Sequence, residues 1–137
     1  MNSPVNTYKK NQINTTSSEQ LVLMLYDGAR KFIGRAIKSL EEGDIQGANH
    51  NLLRSQDIIS ELMTGINFEA GEVAKGLFAL YEYMHYRLMQ ANIQKDSQAA
   101  QEVLAMINEL RDTWVQVLKS RYSRNEENLN LKKLRIS

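Results

Sequence analysis

The sequence predicts an all-α protein: an antiparallel up-and-down four-helix bundle with a mobile N-terminal arm and C-terminal tail. Three observations carry that expectation. Apolar residues recur at steps of three and four through four successive segments. The only proline is Pro4, so nothing from Val5 onward forbids a helix through ring geometry. Short joints rich in glycine, asparagine and aspartate separate the segments, and no stretch alternates at period two as a strand would. A chain of 137 residues suits one domain. It divides into an arm at 1–16, a bundle at 17–121 and a basic, mobile tail at 122–137.

The first helix is expected to start at Ser17. Thr16 with Glu19 and Ser17 with Gln20 form two overlapping capping boxes. Its apolar face reads Leu21, Leu25, Ala29, Phe32, Ala36 and Leu40, with Val22, Ile33 and Ile37 beside it. Gly43 suits the left-handed turn that ends a helix, and Asp44 suits the cap of the next. The second face reads Ile45, Ala48, Leu52, Ile59, Leu62 and Ile66, flanked by Leu53, Ile58 and Met63. Gly65 and Gly71 bracket the following break. The third helix is expected over about 73–92 on Val73, Leu77, Leu80, Met84, Leu88 and Ala91. A polar turn from Asn92 leads to a cap at Asp96 or Ser97. The fourth face, Val103, Ile107, Leu110, Trp114 and Val117, has the spacing of helices packed at shallow angles. After Arg121 the pattern decays, which predicts a frayed tail.

Composition excludes several classes. There are no cysteines, hence no disulfides or thiolate metal sites. The polar start carries no secretory signal, and no apolar run nears the roughly 20 residues of a membrane span. The expectation is a soluble cytoplasmic protein with no direct membrane insertion. A net charge of +1 gives no bulk attraction to nucleic acid. The charge is uneven, however. From Lys119 onward Lys119, Arg121, Arg124, Lys132, Lys133 and Arg135 face only Glu126 and Glu127. That is either a solvated tail or a contact for an acidic partner or a phosphate backbone.

Catalytic chemistry finds no support. Helical di-iron sites need two Glu-x-x-His motifs. Glu82 to His85 supplies one, but Gly47 stands three residues before the second histidine, His50. No arginine lies five to seven residues before either histidine, which removes the Arg/His arrangement of some helical ribonucleases. No glycine-rich phosphate loop occurs. The chain is read as a non-enzyme without metal or cofactor.

Apolar surface is in excess instead. The run Leu21 to Tyr26 covers every direction around a helix axis, more than the stripe of a little over 100° that a core needs. Ile58-Ile59 and Leu62-Met63 splay across neighbouring faces, and Phe78, Tyr81, Tyr83 and Tyr86 surround the third stripe. Met63, Met84, Met89 and Met106 add adaptable surface. Together these suggest a groove for an amphipathic helical client, with a homodimeric structural or regulatory bundle as the alternative. Val5, Tyr8 and Ile13 are isolated apolar residues of the arm, able to clip onto the bundle.

The order of several motifs resembles a known family. Tyr8 in the arm precedes a Ser-capped start at Ser17; Leu21 is followed by Leu25-Tyr26-Asp27-Gly28-Ala29. Gly43-Asp44, Ser55 to Leu62, Gly71-Glu72-Val73-Ala74, Leu80 to Met84, Arg87-Leu88, Ala91-Asn92, Asp96 and Trp114 follow in register. This pattern is similar to that of the flagellin-specific export chaperones, the FliS family, over about Val5 to Trp114. Ser18, Ala70, Gly76 and Glu82 depart from it without removing an apolar position. Gly76 inside a helix costs about 1 kcal/mol against alanine and suggests room for close packing.

The resemblance implies a cytoplasmic chaperone of the flagellar type III apparatus. Such a protein binds the disordered C-terminal segment of flagellin, prevents premature filament assembly and delivers the client to the membrane export gate. On this basis Val5 and Tyr8 are expected to dock at the gate. Leu21, Leu25, Ile58 and Leu62 are expected to line the client groove, an assignment that also rests on the helix faces above.

Overall fold

A computed structural model describes residues 18–136, with side chains described through Leu134. Four helices follow one another: α1 Ser18–Glu41, α2 Ile45–Thr64, α3 Glu72–Gln94 and α4 Ser97–Ile136, with a single 3₁₀ turn at Phe68–Ala70 between α2 and α3. Each helix packs on its neighbours around a ring, α1 on α2, α2 on α3, α3 on α4 and α4 back on α1. Along the last seam, Gln101 reaches Glu41, Arg111 reaches Asp27, and Trp114 reaches Glu19. Rising numbers on α4 meet falling numbers on α1, so the pair is antiparallel, as the up-and-down topology requires.

The joints form where their residues dictate. Gly43 takes φ +75°, a conformation open to glycine at no steric cost. Asp44 then caps α2 by accepting the Gly47 amide at 3.0 Å. Lys95, at φ 53°, closes α3, and Asp96 accepts the Gln98 amide at 2.9 Å to open α4.

The core gathers Leu25, Tyr26, Ala29, Ile33 and Ala36 from α1, and Leu52, Ile58, Ile59 and Leu62 from α2. Tyr81, Met84, Leu88 and Ala91 join from α3, and Ala99, Ala100, Val103 and Ile107 from α4. Alanines at the crossings let the backbones approach, while the branched and aromatic side chains fill the spaces between. The Tyr26 and Tyr81 hydroxyls reach across the diagonal of the bundle and share a buried hydrogen bond of 2.5 Å. Burial is the main cause that raises both phenol pKa values.

Several expectations need correction. Ile45 and Val73, read as core, are exposed, because each sits in the first turn of its helix at an end of the bundle. Tyr81, read as a flanking residue, is core; the true stripe of α3 is centred nearer Tyr81 and Leu88 than Leu80. Val117 is exposed. The fourth helix was expected to end near Arg121 but continues unbroken to Ile136. At 1.5 Å per residue the 40 residues of α4 span about 60 Å, against about 36 Å for the 24 residues of α1. Gly76 has nothing within 4 Å of an added Cβ, so close packing does not account for it. Gly76→Ala is therefore expected to stabilise the fold by about 1 kcal/mol, measured as a rise in the urea midpoint.

Candidate client-binding surface

Of the residues expected to line a client groove, Leu25, Ile58 and Leu62 are buried in the core, and Leu21 is half-buried beside it. Ile58 is 3% exposed. Its Cδ1 would lie 3.3 Å from a Cβ added at Gly28, which marks a close approach of α1 and α2. These four residues sit near one another as expected, but three of them face inward and offer no open groove. The apolar run at the start of α1 resolves in part: Tyr26 and Leu25 enter the core, Leu21 and Val22 pack against it, and Leu23 and Met24 remain half-buried outside it. Val5 and Tyr8 lie outside the described residues.

The open apolar surface is elsewhere. On α2, Asn49 and Leu53 are exposed beside α3, and Ile45, on the core stripe of Leu52, is exposed because the bundle ends at this first turn. Asn92 of α3 donates a side-chain hydrogen bond to Asn49 at 2.8 Å and fixes the register of the two helices. Met89 lies one turn before Asn92 and Ile93 next to it; both are exposed, as are Ile45 and Leu53. Farther along, Phe68 of the 3₁₀ turn packs its ring on Phe78 of α3, centroids 5.2 Å apart, and stays half exposed. The outer α2/α3 face thus carries two exposed apolar groups, Ile45, Leu53, Met89 and Ile93 toward the start of α2 and Phe68 beyond its end, with the exposed Asp57 and Glu82 between them.

The other outer face of α3 is polar. Tyr83 donates to Glu102 of α4, and Arg87 donates to the same carboxylate through Nη2 at 3.1 Å and Nε at 3.3 Å. Arg87 Nη1 also donates to Gln90 at 2.8 Å, and Gln90 in turn donates to the Tyr86 hydroxyl at 2.9 Å. The hydrogen bond from Tyr83, then Arg87, holds the Glu102 carboxyl below its ordinary pKa; the same bond raises the Tyr83 phenol. The Tyr83 and Tyr86 hydroxyls are engaged in this hydrogen-bonded chain, while their rings stay about half exposed. In the sequence Leu53 stands out only as a flank of the core and Met89 only as adaptable surface, and Ile93 and Phe68 carry no signal of their own. Leu53 lies about 100° around the helix from Leu52, off the core stripe, and that was the available signal. Ile45 shares the stripe of Leu52 and Ile59 and is exposed only because the bundle ends there.

Among the described residues no group of three His, Cys, Asp or Glu side chains is placed to hold a metal ion. No described helix is long and apolar enough to cross a membrane. His50 is exposed on α2 and His85 half-buried on α3.

A closed core with an apolar outer face defines a helical binding module, a protein with a surface to offer. Over residues 1–121 it matches the family described as flagellar protein FliS. It is 38% identical over 118 residues to the flagellar secretion chaperone FliS of Bacillus subtilis (strain 168), covering 86% of this chain and 88% of that one. It is 37% identical over 107 residues to the flagellar secretion chaperone FliS of Salmonella typhimurium (strain LT2), covering 77% and 79%. A solved structure described as a flagellar chaperone from bacteria superposes with a TM-score of 0.72 at 16% identity, over 83% of this chain and 94% of that one, and shares the fold. The chain belongs to the FliS family of flagellar secretion chaperones. Membership implies a non-enzymatic role.

Proposed function

We propose that the protein is a cytoplasmic chaperone of flagellar type III export. It binds the disordered C-terminal segment of flagellin, keeps that segment from assembling into filament too early, and delivers it to the membrane export gate. Family membership carries this reading, since the relatives are named secretion chaperones. The exposed apolar side chains of α2 and α3 support it physically.

A disordered client can fold into an amphipathic helix as it lies against Ile45, Leu53, Met89 and Ile93, matching its own apolar positions at three- and four-residue steps. Burying one such side chain fully contributes about 1.5–3 kcal/mol. Ordering the client offsets several kcal/mol of the total. Leu21, half-buried at the start of α1, and the inward-facing Leu25, Ile58 and Leu62 lie along the α1/α2 seam toward the other end of the bundle and are not part of this contact. Val5 and Tyr8 are assigned to docking at the gate by resemblance.

The test is filament growth followed by light scattering. Flagellin monomers added to filament seeds elongate them, and an equimolar amount of this protein is expected to stop elongation. Unchanged elongation at equimolar chaperone would overturn the reading.

A further inference from the structure

The distal part of α4 is a second surface, independent of the client face. The family match ends at residue 121, whereas α4 continues as helix to Ile136. Trp114 donates to the Glu19 carbonyl at 2.8 Å and Arg121 pairs with Glu19, so the start of α1 lies against this stretch of α4. Beyond it, every residue from Arg121 to Leu134 is exposed.

The exposed stretch is patterned. Leu118, Tyr122, Asn125, Leu129 and Lys132 follow one another at steps of four and three, the repeat of a two-helix seam. Leu118 and Leu129 succeed the buried Ile107 at intervals of eleven residues, close to three full turns. The core side of α4 therefore runs on past the bundle, with Tyr122 at 66% and Leu129 at 58% exposure. Asn125 within the seam is the kind of polar residue that sets register between paired helices.

Charge chooses the occupant. With Arg121 taken by Glu19, the stretch keeps Lys119, Arg124, Lys132 and Lys133 against Glu126 and Glu127. Lys119 and Lys133 occupy positions that flank the seam, and Lys132 lies in it. A second copy of the chain would bring the same positive excess and, in a parallel pair, set Lys132 against its counterpart. The N-terminal arm carries Lys9 and Lys10 and no acidic residue through Ser17, so it too is mismatched. An anionic membrane suits a broad apolar face, and this seam is one side chain wide with Glu126 beside it. We infer that distal α4 docks an acidic amphipathic helix of a partner protein, Leu118, Tyr122 and Leu129 forming the seam and the lysines pairing with its flanking carboxylates.

The experiment uses the full chain and two labelled three-heptad peptides with leucine at the seam positions. One carries glutamate at the flanking positions and its twin carries lysine. By fluorescence anisotropy the acidic peptide is expected to bind at least about ten-fold tighter than the basic twin, and more weakly as salt rises. Leu129→Glu is expected to lower that affinity by about ten-fold or more while leaving the urea unfolding curve unchanged, because Leu129 lies outside the bundle. Equal binding of the two peptides, or an unchanged affinity for Leu129→Glu, overturns the inference. So does a Leu129-dependent dimer mass by light scattering, which would make a second copy the occupant. Movement of the Val5, Tyr8 and Ile13 amide resonances on Leu129→Glu would assign the seam to the arm. Leu129-dependent sedimentation with phosphatidylglycerol vesicles would assign it to a membrane. None of these readouts involves flagellin, so failure here leaves the proposed function standing.

Discussion

Ile58→Glu is expected to unfold the protein rather than merely weaken its hold on a client. Ile58 is almost fully buried, and its Cδ1 sits where α1 and α2 approach closely at Gly28. Removing a buried isoleucine side chain costs about 2–5 kcal/mol in transfer and cavity terms. Glutamate adds either an unpaired buried charge or a protonated carboxyl without partners, a further penalty of several kcal/mol. Domains of this kind are stable by only about 5–15 kcal/mol in total. Far-UV circular dichroism should show much of the helix lost, or a urea midpoint sharply lowered. Leu53→Glu is the matched control on the outer face. It should leave stability within about 0.5 kcal/mol and reduce flagellin binding. Retained cooperative unfolding in Ile58→Glu would mean that α1 and α2 are less tightly joined than this packing requires.

The second large effect lies in the tyrosine pair. Tyr26 and Tyr81 are buried and satisfy each other through one hydrogen bond. Either single change to phenylalanine leaves a buried hydroxyl without its partner, at about 1–3 kcal/mol. Removing both leaves no orphan, so the double variant Tyr26→Phe/Tyr81→Phe should cost less than the sum of the two. The pair also predicts alkaline sensitivity. Both phenols have folded-state pKa values raised above the ordinary 10.0, chiefly by burial, with the neighbouring tyrosine adding to the rise at Tyr81. A raised folded pKa means that the folded state keeps its proton after the unfolded chain has lost it. The associated stability is fully present below about pH 10 and falls as pH climbs above it, by up to about 1.4 kcal/mol per pH unit per group. Urea unfolding across that range should show a steeper loss in the parent protein than in the double phenylalanine variant.

Four-helix architecture was readable from the sequence because it rests on local signals. Asp44, Gly43 and Asp96 act through neighbours a few residues away, and the apolar periods fix which side of each helix turns inward. The candidate client surface was harder to read, since it depends on small rotations of those stripes. Ile58 and Ile59 are adjacent, and only packing shows that both enter the core, with Gly28 making room for one of them. Tyr81 read as a flank of its stripe until Tyr26 supplied a partner for its hydroxyl across the diagonal. Tyr83 and Tyr86 looked free until Arg87, Gln90 and Glu102 were found to engage them. Leu53, assigned to the flank of the core, is exposed beside α3, and Ile45, on the core stripe, is exposed because the bundle ends at the first turn of α2. Past Arg121, loss of apolar density suggested a frayed end, yet the helix persists, and nothing in that segment, proline or glycine, breaks it.

In the proposed role the bundle holds flagellin on exposed apolar side chains of α2 and α3 while its core stays closed. Calorimetric titration of a flagellin C-terminal segment into the full chain tests it most directly. Saturable binding with a negative heat-capacity change, the mark of apolar burial, is expected, weakened by Leu53→Glu. Absence of binding at tens of micromolar protein would contradict it.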